Sequence, residues 1–303
     1  MPRKESFLSL FIKGAAMGAA NVIPGVSGGT IAFITGIYER LIYALKSFNT
    51  KAVSFLLKGN IKDFAQYTDL GFLGALTAGV VVSILSFAKL LEYLFDNYPV
   101  LLWAFFFGLI LASVYYVGKQ VQKWNVATIS ALIIGTLIAV GVSLLNPAQE
   151  NNSFWYVFVC GIVAICSMIL PGLSGSFILI IMGNYWLVLK SISSFNFSVL
   201  LPLGLGCVAG MVAFSNLLSY VFKRFPEITI ALLTGFILGS LNILWPWKEE
   251  AETFIKPSGE LAVLKYAKVL PNNFDAHTLL AITLVVLGIA SIFLIERLAK
   301  PKA

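Results

Sequence analysis

The stretch Val22-Ile23-Pro24-Gly25-Val26-Ser27-Gly28-Gly29 interrupts one long apolar run, and Ile169-Leu170-Pro171-Gly172-Leu173-Ser174-Gly175-Ser176 interrupts another. Proline removes an amide donor, glycine admits tight or left-handed backbone, and serine bonds nearby backbone groups. In hydrocarbon, irregular backbone is tolerated only against protein or a watery cavity. Two such breaks at matching places in two halves of a chain point to a transporter binding site.

The composition around them is that of a membrane protein. Hydrophobic residues make up 59% of the chain, charged residues 12%, and the mean hydropathy is +0.90; a soluble domain carries roughly 25% charged residues. Three hundred and three residues suffice for roughly six to ten membrane helices with short connections. The net charge of +7 is explained mostly by basic residues in loops on one side, and no basic folded face suggests nucleic-acid binding. Cys160, Cys166 and Cys207 lie in apolar segments without a CxxC pair and read as small buried hydrophobes. With His277 the one histidine and no clustered acids, a histidine-based metal site or nucleophilic triad is excluded. No enzyme activity and no cofactor are expected. The basic N-terminus runs into an apolar segment without a convincing cleavage site and reads as retained.

Working outward from the breaks, the chain repeats itself. Pro24, Gly25, Ser27, Gly28, Gly36 and Tyr38 recur 147 positions later as Pro171, Gly172, Ser174, Gly175, Gly183 and Tyr185. Leu90 to Phe95, Pro99 and Gly108 recur 127 positions later as Leu217 to Phe222, Pro226 and Gly235. The shorter offset reflects a polar loop at 46–69, containing Lys46, Lys51, Lys58, Lys62, Asp63 and Asp69, that the second half nearly lacks. This loop reads as lying partly on the membrane surface as a short amphipathic helix. The pattern predicts an all-α polytopic fold in a single membrane domain, 1–303, with repeat one at 7–146 and repeat two at 154–295. Each repeat is a broken, re-entrant helical hairpin plus three transmembrane helices. Three is odd, so the second repeat enters the membrane inverted. Counting crossings places 1–6, 46–69, 119–125, 223–224 and 296–303 on one side, which holds 14 of the 21 Lys and Arg residues when Lys13 is included. That side is cytoplasmic by the positive-inside rule, with both termini inside.

The breaks are also where chemistry is expected. A half-helix that begins after each break points the amides of Ser27, Gly28 and Gly29, and of Ser174, Gly175 and Ser176, into the gap, a setting that favours an anion. Ser27, Thr30, Ser174 and Ser176 add hydroxyls, and the glycines let an oxyanion approach the backbone. The competing reading is a pair of packing kinks with small residues for close helix contact. Glu39 and Arg40 stand at the end of the first hairpin, where the second has Trp186 and Leu187. Arg40 is a candidate phosphate contact, with Glu39 taking a proton or orienting Arg40, or both simply reach the interface. Lys13 is costly in an apolar arm unless it faces a cavity, an anion or the interface. Asn21 either caps the disrupted backbone or lines the cavity, as does Ser167. Tyr38, Asn184 and Tyr185 are candidate donors at the site edge. Lys89 and Glu92, spaced i, i+3, read as a salt bridge or an entry-site charge.

Asn21 to Thr30, followed by Gly36-Ile37-Tyr38-Glu39-Arg40-Leu41-Ile42, resembles the signature of the bacterial polyprenyl-phosphate transporter family. Leu170 to Ser176 with Gly183-Asn184-Tyr185 fits the same pattern, and the resemblance covers essentially the whole chain. It implies translocation of undecaprenyl phosphate across the bacterial cytoplasmic membrane, returning the carrier left outside by cell-wall polymer synthesis. It also implies that Pro24 to Thr30, Pro171 to Ser176, Glu39 and Arg40 form the substrate site. The second half departs from the first, with Ser176 for Gly29 and Phe177 for Thr30. A small-anion transporter or channel would use the same half-helices, and coupling to a proton or a sodium ion is open at this level.

Overall fold

The computed structural model describes residues 6–22, 27–255, 261–271 and 275–299. Pro24 and Gly25 of the first break lie outside the described residues, as do the side chains of Lys89 and Glu92. The first half runs α1 (Phe7–Val22), α2 (Gly28–Ile34), α3 (Tyr38–Lys46), α4 (Thr50–Leu57), α5 (Ile61–Tyr67), α6 (Leu70–Asn97), α7 (Pro99–Gly118) and α8 (Val126–Ser143). The second runs α9 (Phe154–Ile169), α10 (Gly175–Ile181), α11 (Tyr185–Ser193), α12 (Phe197–Arg224), α13 (Pro226–Leu244), β1 (Lys248–Ile255), β2 (Leu261–Lys268) and α14 (Ala276–Ala299). Among the described residues five helices (α7, α8, α12, α13 and α14) are long and apolar enough to cross a membrane, or up to seven if each of two bent pairs is one span. This is a multi-pass helical membrane protein.

Local chemistry sets the boundaries. Pro99 and Pro226 open α7 and α13 at the position where a helix needs no amide donor. The residues before them, Tyr98 and Phe225, share one backbone conformation, with φ −136° and ψ 47° against φ −138° and ψ 59°. Asn125 and Thr128 cap each other's backbone at the start of α8. Gly36 and Gly183 take φ of +72° and +74°, left-handed values that end α2 and α10 and turn the chain into α3 and α11. The α10–α11 bend is 116°.

The structure refines three of these expectations. The half-helix expected after each break is followed by a second short helix rather than running on, because the left-handed glycine stops the helical ladder. The polar loop at 46–69 carries two short helices rather than one, α4 and α5, and α5 meets α6 at 70°. The chain is mostly helical, as an all-α polytopic fold predicts, with one addition: β1 and β2 pair antiparallel, from Lys248 opposite Lys268 to Ile255 opposite Leu261.

Helix packing follows small residues. The main pairs are α1 with α6, α9 with α12, α7 with α14 and α8 with α13. Gly14 lies against the carbonyl of Leu76 and Gly79 against that of Phe11, while Gly161 lies against Leu203 and Gly206 against Phe158. A methyl group at any of these would run into backbone, so the helix axes approach closely. The same reciprocal contact joins α7 to α14 through Gly108 and Gly288, and α8 to α13 through Gly135 and Gly235. The buried core centres on α2, α3, α7 and α13, with Phe33, Ile42, Ile110, Leu233 and Ile237 among its members.

Candidate functional site

The two breaks meet. Ser27, the N-cap of α2, is extended (φ −109°, ψ 133°), and its Oγ accepts from Gly29 N at 3.1 Å. The same hydroxyl donates at 3.1 Å to the carbonyl of Leu170, in the second break. Thr30 Oγ1 accepts from Gly172 N at 2.9 Å, and Tyr38 Oη donates to Ile169 O at 2.9 Å. Ser27, Thr30 and Tyr38 are all buried. Two carbonyls at the end of α9, which no later helical amide reaches, are thus satisfied by hydroxyls from the other half. Gly172 has φ +82°, and a side chain there would stand 2.5 Å from Phe236 O of α13. Its conformation and its packing both require glycine.

The amides at the two half-helix starts are treated differently. In α2, Gly28 N donates to Asn21 Oδ1 at 2.8 Å, Gly29 N to Ser27 Oγ, and Thr30 N to Ser27 O at 2.9 Å. Asn21 therefore caps the start of α2. In α10, the amides of Gly175, Ser176 and Phe177 donate to no partner among the described residues. Ser174 Oγ and Ser176 Oγ lie 2.8 Å apart, each half-buried. The glycines, expected to admit an oxyanion, hold protein atoms here. A Cβ on Gly28 would meet Asn21 Oδ1 at 2.7 Å, one on Gly29 would meet Ile169 O at 2.8 Å, and one on Gly175 would meet Ala164 O at 2.7 Å.

The charged candidates stand away from the breaks. Lys13 Nζ donates to Thr35 O at 2.9 Å, at the C-terminal end of α2, where a cation meets the negative pole of the helix. Arg40 is not oriented by Glu39. It pairs with Asp69 through two nitrogens, at 2.7 and 3.1 Å, and its guanidinium lies 4.3 Å from the ring centre of Phe72. Adjacent helix residues point in different directions, so Glu39 could not fill that place. Glu39 is exposed, makes no ion pair among the described residues, and lines with Gly36, Arg40, Tyr43, Tyr67 and Asp69 an open cleft of about 440 Å³. Asn184 is buried with its amide spent on the loop before α9: Nδ2 donates to Asn151 O at 2.8 Å, and Oδ1 accepts from Asn151 N at 3.0 Å. Tyr185 stacks edge-on with Trp186, 5.0 Å between ring centres. Ser167 Oγ donates within its own helix to Val163 O. Pro171 is buried beside Gly172.

A second basic cluster, beyond the reach of sequence reasoning, sits at the end of α13. Lys248 and Lys268 face each other across the β ladder. Lys248 Nζ donates to Ile243 O and lies 3.7 Å from the ring centre of Trp103, while Lys268 donates to Asn242 Oδ1. Burial, then the neighbouring Lys268 ammonium, bring the Lys248 pKa down from 10.5 to about 7.

Comparison with known proteins supplies the context for this geometry. A family model, VCA0040-like, described as undecaprenyl phosphate translocase-like, matches residues 17–262. A Vibrio cholerae protein named polyprenyl-phosphate transporter is 38% identical over 301 residues, covering 97% of this chain and 98% of that one. A Staphylococcus aureus protein of the same name is 29% identical over 253 residues, covering 78% of this chain and 85% of that one. No solved structure matches the chain.

Proposed function

The chain belongs to the undecaprenyl phosphate translocase-like family, and from that premise we propose that it moves undecaprenyl phosphate across the bacterial cytoplasmic membrane by alternating access. The lipid chain stays in the bilayer, and the protein carries the charged headgroup past the hydrocarbon, where desolvation is the main barrier. The reading rests on one observation above others: two polar breaks, one from each half, meet in a buried cluster of cross-half hydrogen bonds.

The halves are read as an inverted repeat. Supporting this, α1, α2 and α3 match α9, α10 and α11 in length and in spacing of 147, while α6 matches α12 at a spacing of 127. The packing pairs correspond as well: α1 on α6 answers α9 on α12, and α7 on α14 answers α13 on α8. The re-entrant reading draws support from the ends of the returning half-helices. Each lies beside the early turns of its entering helix, through Lys13 to Thr35 O in one half and Tyr156 Oη to Met182 O in the other.

In this state the headgroup contacts come from the second break. The unpartnered amides of Gly175, Ser176 and Phe177 and the hydroxyls of Ser174 and Ser176 offer donors suited to a phosphate monoester. The first break is internally closed, and its donors become available only as Ser27, Thr30 and Asn21 let go of their partners. Arg40 and Glu39 belong to the cleft at the basic end, where the headgroup is released. If transport is ion-coupled, Glu39 is the acid placed to take the proton or sodium ion.

The reading is tested in vesicles holding the purified full chain and undecaprenyl phosphate. Wild type should move the lipid between leaflets. Ser174→Ala with Ser176→Ala should cut transport about a hundredfold or more, since hydrogen bonds to a charged group are worth about 1.5–3 kcal/mol each. Transport by the folded double variant at the wild-type rate would remove the second break from headgroup binding.

A further inference from the structure

The two ends of the molecule are packed differently. At the end that carries Lys46 and Lys223, α3 lies on α12. The Tyr38 and Phe222 rings are 5.9 Å apart and both buried, Lys46 Nζ donates to Ser219 Oγ at 3.2 Å, and Lys223 Nζ stands 5.4 Å from the Tyr43 ring centre. Shifting each residue by the repeat spacing gives its counterpart at the other end. Tyr38 becomes Tyr185 on α11, Phe222 becomes Phe95 on α6, Tyr43 becomes Lys190, and Lys223 becomes Asp96.

That second set is not assembled. Among the described residues α11 packs on α12 rather than on α6. Tyr185 is half-buried against Trp186, Phe95 turns to Trp103 of α7 with ring centres 5.2 Å apart, and Lys190 is exposed. The bracing of the two short helices differs too. Arg40 ties α3 to Asp69 at the head of α6, whereas the equivalent positions hold Leu187 and Asn196, which cannot form an ion pair. So α3 is clamped and α11 lacks that clamp.

We propose that the structure is one of two access states, closed at the basic end by α3 on α12, and that in the other state α11 closes the opposite end by packing Tyr185 on Phe95 and bringing Lys190 to the turn of α6 that carries Asp96. The proposal rests on the inverted-repeat reading above. It assigns to Tyr185, Phe95, Lys190 and Asp96 a gating role that no headgroup contact requires. The chemistry of the two gates is complementary in kind. The closed gate has a cation over an aromatic ring, and the open one has opposite charges at the same two positions, so closing gains an ion pair at the rim. Two packings of similar content at opposite ends are what a carrier with two accessible states needs.

The experiment uses the full chain in vesicles with undecaprenyl phosphate. Lys190→Asp places like charges at the gate and should slow transport about tenfold, and adding Asp96→Lys should restore it. In a background with Cys160, Cys166 and Cys207 changed to alanine, Tyr185→Cys with Phe95→Cys should react with a short bifunctional thiol reagent. That reaction should stop once Tyr43→Cys and Lys223→Cys have been linked at the basic end. A charge swap that fails to rescue, or a Lys190→Asp protein as fast as wild type, overturns the gate. So does a Tyr185–Phe95 pair that never links in a chain that still transports. Should the alanine background not fold, the charge swap in the native chain decides alone. Mutually exclusive linking of the two cysteine pairs, beside a wild type that moves no polyprenyl phosphate, would leave the gate standing and remove the substrate reading instead.

Discussion

The first break and the second share a sequence pattern, yet the first closes on itself and the second leaves its helix start open. Two substitutions account for the difference. Asn21 supplies the acceptor for Gly28 N, but the residue in its place before the second break is Met168, whose side chain has no good acceptor and presses on Gly175 instead. Ser27 Oγ turns to Gly29 N, but Ser174 Oγ turns to the hydroxyl of Ser176, which replaces that glycine. A repeated motif thus specifies where a helix is interrupted. Its neighbours specify whether the exposed donors are spent on protein or left open.

The strongest way to break this contrast is at Gly172. Valine there would be forced into a left-handed conformation against the backbone of α13, and we expect a loss of about 3 kcal/mol or more, read as loss of folded protein in detergent. Exchanging the capping residues sharpens it. Asn21→Met should cost about 1–3 kcal/mol in thermal unfolding by stranding Gly28 N. Met168→Asn should instead cap Gly175, leave stability equal or higher, and weaken lipid-phosphate binding about tenfold. Binding unchanged in the folded Met168→Asn protein would mean that the open amides do not serve the ligand. Tyr38→Phe removes one cross-half bond, to Ile169 O, and should lower stability by about 1 kcal/mol.

A pH dependence is expected outside the breaks. Lys248 titrates near 7 in the folded protein against 10.5 ordinarily, so between those values the unfolded chain binds more protons. Stability should therefore rise with pH across that window and lose this dependence below about 7, where both forms are charged. Lys248→Met should flatten the rise in melting temperature. An equal slope in both proteins would assign it to other groups.

Much of this architecture could be read from the residues. Prolines at positions 99 and 226 marked helix starts because only there is a missing amide harmless, and the structure begins α7 and α13 at those residues. The recurrence of Gly36 as Gly183 was visible too, but not that each takes a left-handed turn, since glycine is also common in the interior of membrane helices. The β hairpin was hidden because Lys248-Glu249-Glu250-Ala251-Glu252 has neither strand alternation nor β-branched residues. At the candidate site, the two matching breaks were legible as motifs, whereas the partners of its charges were not. Asp69 is 29 positions from Arg40 and was one acid in a polar loop. Lys13 reached a helix end whose position depended on where α2 stopped.

The bonds from Ser27, Thr30 and Tyr38 to Leu170, Gly172 and Ile169 bear on the tempo of the cycle. If the breaks part on reorientation, an unladen protein surrenders three buried bonds with nothing to replace them, whereas a bound phosphate offers oxygens to the freed donors. At about 1 kcal/mol each, the empty return stroke runs about a hundredfold slower than the loaded one. Labelled lipid should then trade places with unlabelled lipid in the opposite leaflet faster than it accumulates there, a counterflow signature of a carrier that idles poorly.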